Sequence, residues 1–317
     1  TFLKPEANTG SPSSSNVGNF SPIKDVQLLN NSSGEISNID IRDYIIGSVL
    51  AQMPAEFELE ALKAQAIICH TYIINQKYSE ENSPTKNLKG ADLSDDWTIY
   101  QKYFTKNQAK EFYGDNFDTA YEKVSSAVEA VEGLICTYEN QPIVTAFHAI
   151  SCGKTESSEN AWGTAFPYLV SVDSNSDTDI SGYKQELTLT DSELSARLSS
   201  NLNIKFKDDF STENSIKIKS KTDIGTVLCL EIQTNDGTVE VTGNEFAVVL
   251  NLNSCNFTIG YSKSGDNAEY KIVCYGYGHM VGMSQYGANS MAKEGKKAED
   301  ILKHYFSGIT ISDFKNT

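Results

Sequence analysis

No run of about 18 apolar residues occurs in this sequence of 317, so nothing in it reads as a membrane-crossing helix. Cations are scarce: 26 Lys plus Arg stand against 42 Asp plus Glu, a formal net charge of −16. Phosphate recognition needs clustered cations that release counterions, which excludes nucleic acid as a partner. The six cysteines, at 69, 136, 152, 229, 255 and 274, include no Cys-x-x-Cys pair. Their spread rules out a zinc-ribbon spacing and a dense disulfide scaffold, and leaves small buried hydrophobes as the plain expectation for each. No repeat with a period of about 20–50 residues is present, which excludes a solenoid. The initiating Met is missing as well. A start at Thr1 leads us to expect that a signal or anchor stood upstream.

What is present suffices for a core. Hydrophobic residues make up 39% and aromatics 10%, and the length suits roughly two domains of about 150 residues each. The Ser-, Pro- and Asn-rich opening around residues 8–16 has little to bury, so residues 1–25 read as a flexible tether. Short strand-like pieces between Val26 and Tyr44 flank the turn at 30–34 and are followed by an apolar stretch, 41–50, that reads as a helix. The strongest helical pattern covers about 58–78, with Leu59, Leu62, Ala66, Cys69, His70 and Ile73 on one face and Pro54, Glu56 and Glu58 around its start. A further helix is expected at 119–132. A hairpin about Glu139, Asn140 and Gln141 then carries the chain to His148 and Ser151-Cys152-Gly153. Residues 185–264 turn β-branched and polar, with two short helices, and read as a smaller β-rich lobe. The expected fold is α+β, with a catalytic core of 26–184 and 265–317 that holds a helix-rich cleft.

Two segments combine apolar or glycine-rich character with convergent polar groups. One runs from Gln52-Met53-Pro54 through Glu60 to Ala66. The other is Gly276-Tyr277-Gly278-His279-Met280-Val281-Gly282-Met283-Ser284-Gln285-Tyr286-Gly287-Ala288. Glycines at 276, 278 and 282 let the backbone turn or approach a ligand closely.

Together with Ser151 to Thr155, Asn160-Ala161-Trp162-Gly163 and Pro167-Tyr168-Leu169, these segments resemble, in order, those of the stage II sporulation protein D family of peptidoglycan lytic transglycosylases. The likeness runs from about 26 to 313. It implies cleavage of the bond between N-acetylmuramic acid and N-acetylglucosamine without water, leaving a 1,6-anhydro sugar. One carboxylic acid serves such a reaction, first protonating the leaving oxygen and then assisting attack by the C6 hydroxyl. The implied substrate is glycan stripped of stem peptides, nearly uncharged and so compatible with an acidic enzyme. The family also implies membrane anchoring outside the cytoplasm, between mother cell and forespore, alongside stage II sporulation proteins M and P. No organic cofactor is implied.

The chain departs from the family at its acid. The family places Glu immediately before Met-Pro, and that position here is Gln52, whose amide has the carboxylate's shape but donates no acid proton. Three readings follow: an enzyme inactivated by substitution, a natural glycan-binding module, or an acid carried by Glu56 or Glu60. His279 is the histidine expected in the site, while Ser284, Gln285, Tyr286, Ser151 and Trp162 are candidates for sugar contacts. Tyr100 to Tyr103 offers further aromatic surface. A second departure places Cys69-His70 and Cys152 where the family has other residues, and His148 lies four before Cys152. A Zn2+ site drawn from Cys69, His70, His148 and Cys152 is expected, with buried thiols or a Cys69–Cys152 disulfide as alternatives.

Overall fold

A computed structural model describes residues 22–202, 204–206, 215–264 and 267–314. The tether expected over 1–25 therefore lies, up to residue 21, outside the described residues. The fold is α+β, and the described chain divides into two compact units, one formed up to Phe147 and again from Ala288, the other from His148 to Gly287.

In the first unit, Asp25–Leu29 pairs antiparallel with Ile36–Asp40, closed by Leu29 opposite Ile36. Asn30 drives the turn, its side chain accepting from Ser33 N (2.8 Å) and its carbonyl from Gly34 N (2.7 Å). Asp40 then caps α1 (Ile41–Gln52) by accepting from Arg42 N and Asp43 N. α2 (Leu59–Asn82) follows a short turn, and α3 (Lys106–Tyr113) leads into α4 (Phe117–Ala130). The single apolar face expected for α2 is not what the structure shows. Residues 61, 62, 64–71, 73 and 74 are all buried, whereas Leu59 is 39% exposed. The reason is position: α1, α4, the strand Leu134–Tyr138 and the helix Ala298–Tyr305 surround α2, so it buries residues on all sides, the polar Gln65, His70 and Thr71 among them.

Leu134–Tyr138 returns as Gln141–Pro142 through Glu139 and Asn140, both left-handed (φ 51° and 61°), which is the pattern of a two-residue hairpin. On its other side it pairs antiparallel with Thr310–Asp313.

The second unit begins with a short helix, α5 (Ser158–Trp162), and holds two three-stranded antiparallel sheets. In one, Asn267–Tyr275 lies between Phe257–Ser264 and Lys184–Thr190; in the other, Val227–Thr234 lies between Ile216–Lys221 and Gly237–Thr242. α6 (Asp191–Leu202) and α7 (Gly243–Leu250) contribute Leu194, Leu198, Phe246 and Leu250 to a core shared with Leu230, Ile232 and Ile272. Phe246 stacks on Phe257 at 5.4 Å. The chain enters and leaves this core through neighbouring strands, Lys184 lying opposite Tyr275. This unit is larger than the 185–264 lobe of the sequence reading. Segment 148–183 packs into it through Tyr277 N to Ile150 O and Gly276 N to Tyr183 O, both 2.7 Å, and is itself held by Thr155 N to Val172 O (2.8 Å). Two helices follow it, α8 (Gln285–Lys293) and α9 (Ala298–Tyr305), the latter being the helix that packs on α2.

Candidate functional site

Gln52 closes α1, and Met53 follows in extended conformation with its N–H bonded to Val49 O. The Gln52 amide nitrogen donates to two backbone carbonyls, Ser48 O and Lys102 O, both at 3.0 Å. Lys102 belongs to a strap, residues 100–104, laid across α1. Phe104 N donates to Gly47 O (3.1 Å), Tyr103 stacks on Tyr44 at 5.4 Å, and Tyr44 OH donates to Gln101 (3.4 Å). Tyr103 is thus buried as an anchor of the strap rather than displayed to a sugar.

Glu60 takes a different role from a proton donor. One carboxylate oxygen accepts from Ala298 N (3.0 Å) at the start of α9, and the other from Lys63 (2.8 Å). Partial burial alone would raise its pKa, but the bonds from Lys63 and Ala298 N, with the charges of Lys63 and Lys297, hold it below the ordinary value. Glu56 and Glu58 are exposed around the start of α2, where acidic groups complement the helix dipole.

In the second unit, three of the expected residues come together. His279 lies 5.9 Å from His148 and 5.7 Å from Trp162, ring centre to ring centre. The peptide of Val281 fixes both tautomers: its N–H donates to His279 Nδ1 (3.1 Å), and its carbonyl accepts from His148 Nδ1 (3.2 Å). His279 therefore carries its proton on Nε2, while His148 carries it on Nδ1 and leaves a buried Nε2 lone pair with no hydrogen-bond partner among the described residues. Gly278 makes the approach possible. Its φ is +112°, and a Cβ there would meet His148 Cβ at 2.8 Å.

Burial first, and His279 second, push His148 down to about 3 against the opposing bond to Val281 O. A histidine held neutral in the fold but basic at about 6.5 in the unfolded chain stabilises above that value, and its contribution is lost as pH falls toward 3. His148→Asn, which keeps a donor for Val281 O, is expected to flatten the acid side of the stability profile by up to about 1.4 kcal/mol per pH unit. Urea midpoints of parent and variant at pH 7.5, 6 and 5 check this; parallel profiles would contradict it.

Ser284 acts as a helix cap. Its hydroxyl accepts from Gly287 N (3.1 Å) and donates to Ala149 O (3.3 Å), at the start of α8. Gln285 is buried and Tyr286 half-buried in the first turn of that helix. Ser151 N donates to Asp177 (2.8 Å), and Ser151 Oγ accepts from Gly153 N (3.2 Å).

The residues expected to bind zinc do not fit a metal. Among the described residues no group of three or more His, Cys, Asp or Glu side chains is arranged to hold one. His70 Nδ1 is bonded to Leu134 O (3.0 Å), Cys69 accepts from Gln65 (3.7 Å), and Cys152 donates to Lys154 O (3.4 Å) and Ile224 O (3.8 Å). Burial pushes the Cys69 thiol up to about 12 against bonds from Gln65 and Gln101, so it stays protonated. Both Cys69 and Cys152 are free thiols, without the disulfide considered between them.

Two buried carboxyl groups escaped the sequence reading. Asp177 accepts from Ser151 N and from Ser174 Oγ (3.1 Å), and burial raises its pKa above the ordinary value. Glu156 accepts from Ser157 N, Asn160 Nδ2 and Thr222 Oγ1 at 3.0, 2.9 and 2.7 Å, which ties the segment before Trp162 to the lobe. Glu156 lies between two segments that the sequence did single out, but its bond to Thr222, 66 residues on, is not legible from spacing.

A family profile described as "Stage II sporulation protein" matches residues 30–138, and one described as a domain of unknown function matches 156–282. Stage II sporulation protein D of Bacillus subtilis (strain 168) is 38% identical over 293 residues, covering 92% of this chain and 80% of the relative. Its counterpart in Bacillus amyloliquefaciens is 35% identical over 294 residues, with the same coverage of 92% and 80%. A more distant relative, the amidase enhancer of Bacillus subtilis (strain 168), is 28% identical over 308 residues, covering 84% of this chain and 40% of the relative.

Proposed function

Because the chain belongs to the stage II sporulation protein D family, with a sporulation-related role at the cell wall, we propose that its fold is that of a peptidoglycan lytic transglycosylase whose acid position is occupied by Gln52. The observation that carries this reading is the place of residue 52. It closes α1, is half-exposed, and its amide nitrogen donates to two backbone carbonyls. A carboxylic acid there would give its proton to the glycosidic oxygen as the C1–O bond of N-acetylmuramic acid breaks. The C6 hydroxyl oxygen would then bond to C1 and pass its proton to the carboxylate, restoring the acid with no water consumed. The chain's own role in the second unit would be to bind sugar, Trp162 offering a face and His279 an Nε2–H donor.

A second reading has an observation of its own. An amide carries two N–H groups, and two carbonyls accept from Gln52, so glutamine suits its place as it stands, as a natural glycan-binding module would require. The experiment that separates the two is glycan cleavage by Gln52→Glu. Its control is the double variant Gln52→Glu/Glu60→Gln, expected to keep the cleavage while losing up to about 1 kcal/mol of stability with the Lys63 pair. Cleavage lost with Glu60 but indifferent to residue 52 would move the acid to Glu60. We place the protein outside the cytoplasm, in the space between mother cell and forespore, working on peptide-stripped glycan strands with proteins M and P on the family's pattern. Among the described residues no helix is long and apolar enough to cross a membrane.

A further inference from the structure

We propose that Phe104 and Phe112, with the ammonium group of Lys102 beside them, bind a carboxylate-bearing sugar next to position 52, the lactyl group of N-acetylmuramic acid supplying the carboxylate; this rests on the reading of peptide-stripped glycan as the substrate. The strap has two sides. Gln101 and Tyr103 are buried against α1, the first accepting from Tyr44 OH and the second stacked on the Tyr44 ring, so the alternation of an extended chain turns Lys102 and Phe104 outward. Lys102 is exposed and Phe104 half-buried. Phe112 of α3 meets Phe104 at 5.3 Å and Tyr113, edge to face, at 5.0 Å. At 67% it is the most exposed large apolar side chain among the described residues.

This aromatic surface is seated on the same end of α1 as residue 52. Phe104 N donates to Gly47 O (3.1 Å), Tyr113 OH to Leu50 O (2.9 Å), and the Gln52 amide to Lys102 O (3.0 Å). Gly47, where a Cβ would clash with Phe104 O and the Tyr103 ring, lets the strap lie this close. The carbonyl that meets Gln52 and the ammonium that lies over the Phe104 ring (4.9 Å) belong to one residue, Lys102, so a sugar on the rings is a neighbour of whatever reacts at 52. Aromatic faces suit the apolar C–H face of a pyranose, and charge selects which pyranose. Residues 102–113 carry three lysines against one acid, Glu111, in a chain of net charge −16. Lys106 and Lys110 lie over Tyr121 and Phe117 (4.7 and 5.5 Å), and among the described residues neither they nor Lys102 form an ion pair. Lying over a ring takes no charge from a lysine. By contrast Lys63, Lys77 and Lys303 each hold a carboxylate. The complement of this surface is therefore an anion on an apolar frame. Hydrolysis of the amide that joins a stem peptide to the lactyl group leaves such an anion, the single charge of an otherwise neutral sugar repeat, whereas an intact stem keeps that carbonyl as a neutral amide.

The test is binding by the full chain as it stands, with Gln52 in place, measured by titration calorimetry at low salt. Two probes are compared: peptide-free glycan fragments with free lactyl carboxylates, and the same fragments with those carboxylates converted to methyl amides. The parent is expected to bind the carboxylate form about 3- to 10-fold tighter. Lys102→Met is expected to remove that preference and Lys102→Arg to keep it. Phe112→Ala, a truncation at the surface, is expected to weaken both forms alike by about 3- to 10-fold. Equal binding of the two forms by the parent, or a preference that survives in Lys102→Met, overturns the role of the charge. Unchanged binding by Phe112→Ala overturns that of the rings. Variants that keep the parent's glycan binding but lose binding to vesicles of phosphatidylcholine and phosphatidylglycerol would assign the surface to a membrane, and the proposal falls. No bond is broken in this measurement. Failure of Gln52→Glu to cleave glycan therefore leaves the proposal standing, and cleavage by Gln52→Glu with no carboxylate preference overturns the proposal alone.

Discussion

Gln52→Glu is expected to release soluble fragments from peptide-free glycan at about 100- to 10,000-fold the rate of the parent chain, the range that one positioned proton donor contributes. The substitution exchanges one NH2 for one oxygen at nearly constant shape. It therefore tests the proton and little else. Gln52→Ala serves as the control: it removes the amide's bonds to Ser48 O and Lys102 O without supplying an acid, and is expected to gain nothing. A rate for Gln52→Glu equal to that of the parent would take position 52 out of the chemistry. The comparison is best made near neutral pH, where an unperturbed glutamate, ordinarily near about 4.3, is almost wholly ionised and only a protected carboxyl still carries its proton.

The second large effect concerns the loop that carries His279. Gly276→Ala is expected to destabilise the second unit by about 2–5 kcal/mol, combining about 1–2 for a left-handed residue with a Cβ and about 1–3 for overpacking. Gly276 has φ +73°, and a Cβ would meet Met280 Cε at 2.5 Å, Ile150 O at 2.8 Å and Ser151 C at 3.0 Å. The methionine end can swing away; the two backbone atoms cannot. They belong to the segment where Tyr277 N donates to Ile150 O and Tyr277 O accepts from Ala149 N and Ile150 N (2.7, 3.1 and 3.2 Å), so the strain reaches the backbone just before His279. Gly260→Ala is the matched control, since its Cβ would meet only Lys271 O at an ordinary 3.6 Å. Urea unfolding and binding to peptide-free glycan both read the difference. Equal stability and equal binding in the two alanine variants would contradict the account of this loop.

Much of the local structure was legible because its causes are local. The Asn30–Gly34 turn, the left-handed pair Glu139–Asn140, the apolar stretch of α1 and the helix α4 are each set by a few neighbouring residues. What was not legible depends on distant company. α2 reads as one-faced until α1, α4, α9 and a strand enclose it. The tyrosines of 100–103 read as a sugar surface until Gly47 lets the strap lie down on α1 and buries Tyr103 against Tyr44. Cys69, His70, His148 and Cys152 look like metal ligands by type, yet among the described residues no three such side chains are arranged round one point, and Cys69, His70 Nδ1, His148 Nδ1 and Cys152 are drawn to carbonyls or an amide that spacing does not disclose. Asp177 carried no signal at all, because its main partner, Ser151 N, lies 26 residues back in the chain. In the site, the sequence named His279 and Trp162 as separate candidates; that their rings are neighbours, and that the backbone of Val281 sets the tautomers of both histidines, follows only from the fold.

The most direct test of the transglycosylase account is the chemistry of the new glycan ends made by Gln52→Glu in water enriched in oxygen-18. An attack by the C6 hydroxyl consumes no water, so the expected product carries 1,6-anhydro-N-acetylmuramic acid ends, one water lighter than reducing ends and free of the label. Reducing ends bearing one labelled oxygen would show hydrolysis instead, and would contradict the proposed reaction.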